Sequence, residues 1–178
     1  LISKLFAYHQ LGSGPFIGLN RISSHRFEAH LNILKEMGFS SDSKYKILFD
    51  DGYESVYDIA FPLMQKYGFT GLVFPVAHYI GQTNSWDVTF GSLNRATHLT
   101  TGQIKILSES GWEIGSHGLT HTAFTSLSDE SLKIELVQSK QILEEIIEKE
   151  IISITPPFSK WNNHINNIIL QCGYKKIF

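Results

Sequence analysis

The chain has 178 residues, 42% of them hydrophobic and 18% charged, which fits one domain spanning 1–178 with a full-sized core and excludes a disordered chain. A formal net charge of -2 and a pI near 6.5 leave no basic field for nucleic acid or an anionic membrane surface, so the expected partner is neutral or only locally charged. A single cysteine, Cys172, rules out an internal disulfide and a multi-cysteine metal site, and no apolar run approaches the ~20 residues of a transmembrane helix.

The first residues, "LISKLFAYHQ", lack the regions of a secretory signal, yet Leu1 is not an initiator methionine. We therefore expect an N-terminal piece, such as an export signal or anchor, to have been lost, and an extracytoplasmic or cell-surface home. Short β-branched and aromatic runs predict strands over residues 4–9, 44–50, 71–77, 112–117, 151–158 and 174–178, with five helices between them. The first helix, 24–37, carries Phe27, Leu31 and Leu34 and ends at Gly38. The second, 53–67, is expected to kink or restart at Pro62, which cannot donate to the helical ladder. Residues 78–99 show no period, and a loop of that length in a compact domain is functional or carries small elements of its own. The helix over 128–149 opens on Ser128 as N-cap, follows with Asp129 and Glu130, and shows an apolar stripe of Leu132, Leu136, Leu143 and Ile146.

Strand and helix in alternation imply a mostly parallel sheet, open or closed into a barrel, whose ligands sit at the carboxyl ends of the strands. That rim is where the polar residues collect. His9 ends the first strand, Asp50 and Asp51 the second, "GSHGLTH" (115–121) the fourth and "TPPFS" (155–159) the fifth, while His78 follows the third. Each motif alone has a plain structural use: DDG as a turn, HGLTH as two histidines on a helix surface, TPPFS as a strand-ending kink. Their arrival in order on one rim favours chemistry.

His117 and His121 lie four apart, a spacing that brings both to one face if the segment turns helically. Two imidazoles and a carboxylate are a usual ligand set for catalytic zinc, with a fourth position left for water. The second carboxylate could then take that water's proton. Neighbours on an extended strand point to opposite sides, which suits two aspartates with different tasks, but spacing leaves open which is ligand and which is base. Trp86, Trp161, Tyr53, Tyr79 and Phe158 fall in or beside rim loops, where aromatic faces can pack against sugar rings.

With FDDG, SHGLTH and PPF in this order, the chain resembles the polysaccharide deacetylases of the NodB-homology type, carbohydrate esterase family 4. Flanking stretches extend the likeness: "RFEAHLNILKEMGF", "FPLMQKYGFTGLVFPVAHYIG", "NSWD", "WEIGSHGLTH" and "SLKIELVQSKQILEE". The resemblance implies a distorted (β/α) barrel whose last motifs would lie beyond Phe178. It implies a divalent metal, usually zinc, removing acetyl groups from N-acetylated sugars, with Asp50 as general base and Asp51, His117 and His121 as metal ligands. The backbone N–H of Phe158, following Pro157, would hold the oxyanion.

Two departures stand out. Thr155 occupies the place where many members have an arginine that pairs with the base, so Asp50 is expected to depend on other neighbours. The general-acid histidine of the family belongs to a later motif, which leaves His9 and His164 as candidates here. A module of the same fold that binds glycan or metal without turnover is the competing reading, and the retention of Asp50 speaks against it.

Overall fold

The computed structural model describes residues 4–13, 21–40, 45–85 and 96–178. In chain order it has β1 (Lys4–Tyr8), β2 (Gln10–Leu11), β3 (Arg21–Ile22), α1 (Ser24–Glu36), β4 (Tyr45–Asp51), α2 (Phe61–Tyr67) and β5 (Leu72–Pro75). Then follow α3 (Thr101–Glu109), β6 (Glu113–Ile114), α4 (Asp129–Ile147), β7 (Ser153–Ile154), α5 (Asn163–Gln171) and β8 (Lys176–Ile177). Parallel pairing joins β1, β4, β5 and β6, with Tyr8 opposite Phe49 and Asp50 opposite Phe74. A parallel bridge between Ser116 and Ile154 carries the wall from β6 to β7, and β7 pairs with β8. Among the described residues no ladder joins β8 back to β1. β2 and β3 form a separate parallel pair.

Strand β4 is covered on both faces, as parallel strands between helices and a second apolar layer must be. Ile47 and Phe49 join the large core, while Leu48 packs with Leu72 and Phe74 on the other face. The large core takes Phe27, Leu31 and Leu34 from α1, and its aromatic centre runs from Tyr8 through Phe49 to Trp112. Each such side chain gains about 2 kcal/mol from leaving water. The small cluster continues to Phe178, whose ring is 5.6 Å from Phe74.

Helix α1 is capped by Ser23 and followed by Gly38 at φ 77, close to the expected end. The expected break at Pro62 takes the form of a π turn over Val56–Ala60 that runs directly into α2. Phe61 N–H reaches back five residues to Val56, and this widened turn makes room for a ring that would otherwise strike the carbonyl four residues earlier. On α4 the buried stripe is Leu132, Leu136, Leu143 and Ile147, with Ile146 only partly covered.

The strands around the rim are shorter than their sequence runs suggest. The run over 151–158 pairs only at Ser153–Ile154, because Pro156 and Pro157 lack N–H donors and the chain enters a 3-10 turn at Pro157–Ser159. Likewise 112–117 pairs at Glu113–Ile114, with the single bridge at Ser116. Gly115 between them admits no side chain, since a Cβ there would fall 2.3 Å from the Phe74 ring and 2.8 Å from Ser153 Oγ. That closeness lets β6 run tightly between β5 and β7. The loop after β5 starts with a 3-10 turn at Ala77–Tyr79 and folds back through bridges at Thr83–Thr97 and Tyr53–His98. Trp86 and Asp87 of "NSWD" lie outside the described residues.

Candidate metal and catalytic centre

The row Leu48, Asp50 follows the period of the strand, but Asp51 does not continue it. Its φ is 66, left-handed, which aspartate tolerates better than most residues. Gly52 follows at φ 68, and a Cβ there would meet Pro75 Cα at 2.7 Å. The consequence corrects the expectation of two carboxylates on opposite sides: the chain bends at Asp51, and both reach the same imidazole.

Asp51 is 3% exposed, with Oδ1 3.4 Å from His117 Nε2 and 3.2 Å from His121 Nε2. That oxygen is buried and has no hydrogen-bond partner among the described residues. Burial pushes the Asp51 carboxyl up, but the imidazoles of His121 and His117, with His9 beyond them, outweigh it and hold it below its ordinary value. The Asp51 carbonyl in turn meets His98 Nδ1 at 3.0 Å. His98 is buried, stacks on Tyr53 at 4.9 Å, and Tyr53 Oη accepts from Asn84 Nδ2 at 2.9 Å. Tyr53, expected to face a ligand at the rim, is 1% exposed and lies beneath it. Its place is support for the Asp51 turn.

His117 follows the Ser116 bridge and is fixed by its N–H to the Pro75 carbonyl at 3.0 Å. Its Nδ1 lies 2.8 Å from the Thr155 carbonyl and 2.5 Å from Thr155 Oγ1. A carbonyl oxygen only accepts, so Nδ1 carries the hydrogen and the Nε2 lone pair faces Asp51. Burial pushes the His117 imidazole below its ordinary value despite the nearby Asp50 and Asp51. A bare nitrogen and a buried carboxylate oxygen facing each other repel unless a cation or a proton comes between them.

His121 is delivered by a bent loop rather than by the helical turn its spacing suggests. Gly118 sits at φ 83, donates to Ser116 Oγ at 3.0 Å, and its carbonyl accepts from Ala77 N–H at 3.1 Å. Leu119 accepts from His78 N–H at 2.9 Å. From α4, Glu135 closes the loop: its carboxylate accepts from Leu119 N–H at 2.7 Å, Thr120 N–H at 3.0 Å and Thr120 Oγ1 at 2.5 Å. This carboxylate is 6% exposed and points at backbone donors, as a helix-borne cap for a loop. His121 ends the loop at φ 63, its ring 5.3 Å from that of His117.

Asp50 is held from another direction. Thr155 Oγ1 donates to its Oδ1 at 2.9 Å, and His117 Nδ1 lies 4.0 Å from the same oxygen. The neighbour that Asp50 was expected to find elsewhere is the residue that replaced the arginine. Past Thr155, Pro157 is buried, and Phe158 takes φ 61 with 60% exposure, its ring 4.8 Å from that of His121. A phenylalanine in the left-handed region is a strained backbone. Trp161, 50% exposed, follows on the same stretch. His9 lies one residue beyond the Tyr8–Phe49 pair, level with Asp50. His164 is engaged on the surface with Asp129 at 2.8 Å.

Asp51, His117 and His121 each offer one ligand atom, all within 4.8 Å of one another. A carboxylate with two imidazoles, one of them aimed by the contact of its own second nitrogen with the Thr155 carbonyl, is a donor set suited to a zinc-type cation. The orphaned Asp51 oxygen fits the same group. His98, Glu135 and the Thr155 hydroxyl are the supporting residues that motif reading missed. Glu135 alone left a trace, an acid beside the apolar stripe of α4.

YxkH of Bacillus subtilis (strain 168), which carries the polysaccharide deacetylase name, is 24% identical over 188 residues; the match takes 96% of this chain and 62% of YxkH. The chain thus spans about three-fifths of that relative. Among solved structures, IcaB from Ammonifex degensii superposes with a TM-score of 0.84 at 19% identity, covering 98% of this chain and 82% of that one. The Streptococcus pyogenes deacetylase PplD in complex with acetate gives 0.80 at 19% identity, covering 96% and 80%. These likenesses establish the NodB-type fold, and the polysaccharide deacetylase family model matches residues 40–177. The chain belongs to the polysaccharide deacetylase family.

Proposed function

We propose that this chain is a metal-dependent hydrolase that removes N-acetyl groups from N-acetylhexosamine units of a poly- or oligosaccharide. The observation that carries the reading is the Asp51 oxygen, buried without a hydrogen-bond partner among the described residues and facing two imidazole nitrogens, next to a second carboxylate held separately. A divalent cation, zinc by donor type, bound by Asp51, His117 and His121 would supply Lewis acidity, lowering the pKa of water and polarising an acyl oxygen. Asp50 is the base: it stands beside the centre, held by Thr155 Oγ1 and outside the donor set, and it takes the proton of the attacking water. The backbone N–H of Phe158, set by the Pro157 turn, steadies the oxygen on which charge develops. As the carbon–nitrogen bond breaks, the proton gathered at Asp50 is available to the departing amine, and acetate and a free amino sugar result.

The exposed rings of Phe158 and Trp161 form the apolar part of a sugar-binding rim. A net charge of -2 suits a neutral glycan better than a polyanion. A substrate of that kind belongs at the cell surface or outside it, and among the described residues no helix is long and apolar enough to cross a membrane.

Acetate release from N-acetylglucosamine oligomers, measured with bound-metal analysis on wild type and Asp50→Asn, tests the reading. Wild type should release acetate and Asp50→Asn should keep the metal but lose about 100-fold or more in kcat. Metal bound with no acetate released by wild type would favour the silent binding module, and no metal uptake would undo the ligand assignment.

A further inference from the structure

Thr155 is buried at the end of β7, and two of its oxygens fall on the centre. Its carbonyl oxygen and Oγ1 lie 2.8 and 2.5 Å from His117 Nδ1, while Oγ1 lies 2.9 Å from Asp50 Oδ1. Counting donors and acceptors gives these contacts one direction. The carbonyl accepts only, so the hydrogen is on Nδ1, and its approach to Oγ1 fills an acceptor site of the hydroxyl. The hydroxyl has a single proton, which Nδ1–H cannot receive and the Asp50 carboxylate can. The chain of donation therefore runs from His117 through Thr155 to Asp50.

We infer that Thr155 is a positioning residue whose hydroxyl, oriented by His117, clamps Asp50 Oδ1 in the attitude from which Asp50 works as base. The inference rests on the reading of Asp50 as base given above. The scaffold around the hydroxyl is stiff. Thr155 N–H is tied to the Ser116 carbonyl at 3.0 Å, two prolines follow at once, and a β-branched side chain has few rotamers. Asp50 and Thr155 stand 105 residues apart, so the contact also locks β4 to the end of β7. The histidine that offers Nε2 to the cation thus fixes the base through its other nitrogen.

Thr155→Val keeps the shape and removes the hydroxyl, and Thr155→Ser keeps the hydroxyl. With N-acetylglucosamine oligomers, Thr155→Val should lower kcat about 10- to 100-fold with KM within about twofold, because a displaced base harms the reaction step rather than ground-state binding. Zinc affinity should stay within about threefold, since the Thr155 carbonyl still accepts from Nδ1–H. Thr155→Ser should recover most of the rate. A Thr155→Val enzyme as fast as wild type, or a serine variant no better than the valine, overturns the proposal. A parallel loss of zinc affinity and rate overturns it in favour of a role confined to His117. Asp50→Asn in the same assay separates the two levels: a variant with undiminished kcat removes the base reading itself. A measurement free of turnover completes the test. In thermal unfolding of the metal-free protein, the losses from Thr155→Val and Asp50→Ala, which leaves no acceptor, should not add, the double variant melting near the Asp50→Ala value. Additive losses would show that the hydroxyl does not hold Asp50.

Discussion

Replacing Glu135 with alanine would remove the carboxylate that holds the loop between the two histidines. Its oxygens accept from Leu119 N–H, Thr120 N–H and Thr120 Oγ1, at 2.7, 3.0 and 2.5 Å. A partly buried donor left without an acceptor costs about 1–3 kcal/mol. Against that, water enters the space vacated, Thr120 Oγ1 keeps Thr122 Oγ1 at 2.8 Å, and the expense of holding a buried carboxylate disappears. The net loss should be about 3 kcal/mol, which for a chain of this size lowers Tm by about 6–12 °C. Metal affinity is the sharper readout. His121 ends this loop in a left-handed conformation, and supporting contacts of metal ligands are worth roughly 10- to 100-fold in affinity. Zinc competition against a chelator, with thermal unfolding of the metal-free protein, measures both quantities. Glu135→Gln, which keeps an acceptor oxygen, should lose less than Glu135→Ala in each. If Glu135→Ala melts early but binds zinc as wild type does, Glu135 is a packing residue and the anchoring argument fails.

Asp51→Asn should abolish metal-linked stabilisation: excess zinc at about 1,000 times Kd should stabilise wild type by about 4 kcal/mol and leave the variant unmoved, as melting with and without chelator would show. Tyr174 gives a signature at the alkaline end. Burial pushes its phenol up to about 12, against about 10 in an unfolded chain, so the folded state favours the neutral form. That stability is complete below pH 10 and is lost as pH rises from 10 towards 12, by roughly 3 kcal/mol in total. Denaturant melts across this range should show the decline in wild type and its disappearance in Tyr174→Phe.

The architecture was readable because its signals are local. Apolar runs, Gly38 after α1 and the Ser128 cap each sit within a few residues of the element they define, and parallel order follows from alternation. The rim residues were readable for the same reason, since each motif stands at a strand end. What escaped was decided by distant partners. Tyr53 looks like a rim aromatic until Asn84 and His98, which cover it, arrive from 31 and 45 residues away. The four-residue spacing of His117 and His121 suggested a helix, whereas Gly118, the Ala77 and His78 amides and Glu135 impose a bend. The opposite-sides argument for Asp50 and Asp51 assumed extended backbone and failed on one torsion, the φ of 66 at Asp51. Thr155 was read by what it lacks, a guanidinium, and its hydroxyl was overlooked.

The clamp between Asp50 and Thr155 also says when the centre forms. Its two ends are 105 residues apart, and β5, β6 and β7 must be laid side by side before the threonine reaches the aspartate. Closure over such a span is spent before any contact repays it, which puts the event late on the folding path. Of Asp51, His117 and His121, only the two histidines are neighbours in an unfolded chain. Asp51, His117 and His121 therefore come together only when the long-range sheet order is complete, so the candidate centre is a product of the finished wall and of no single segment.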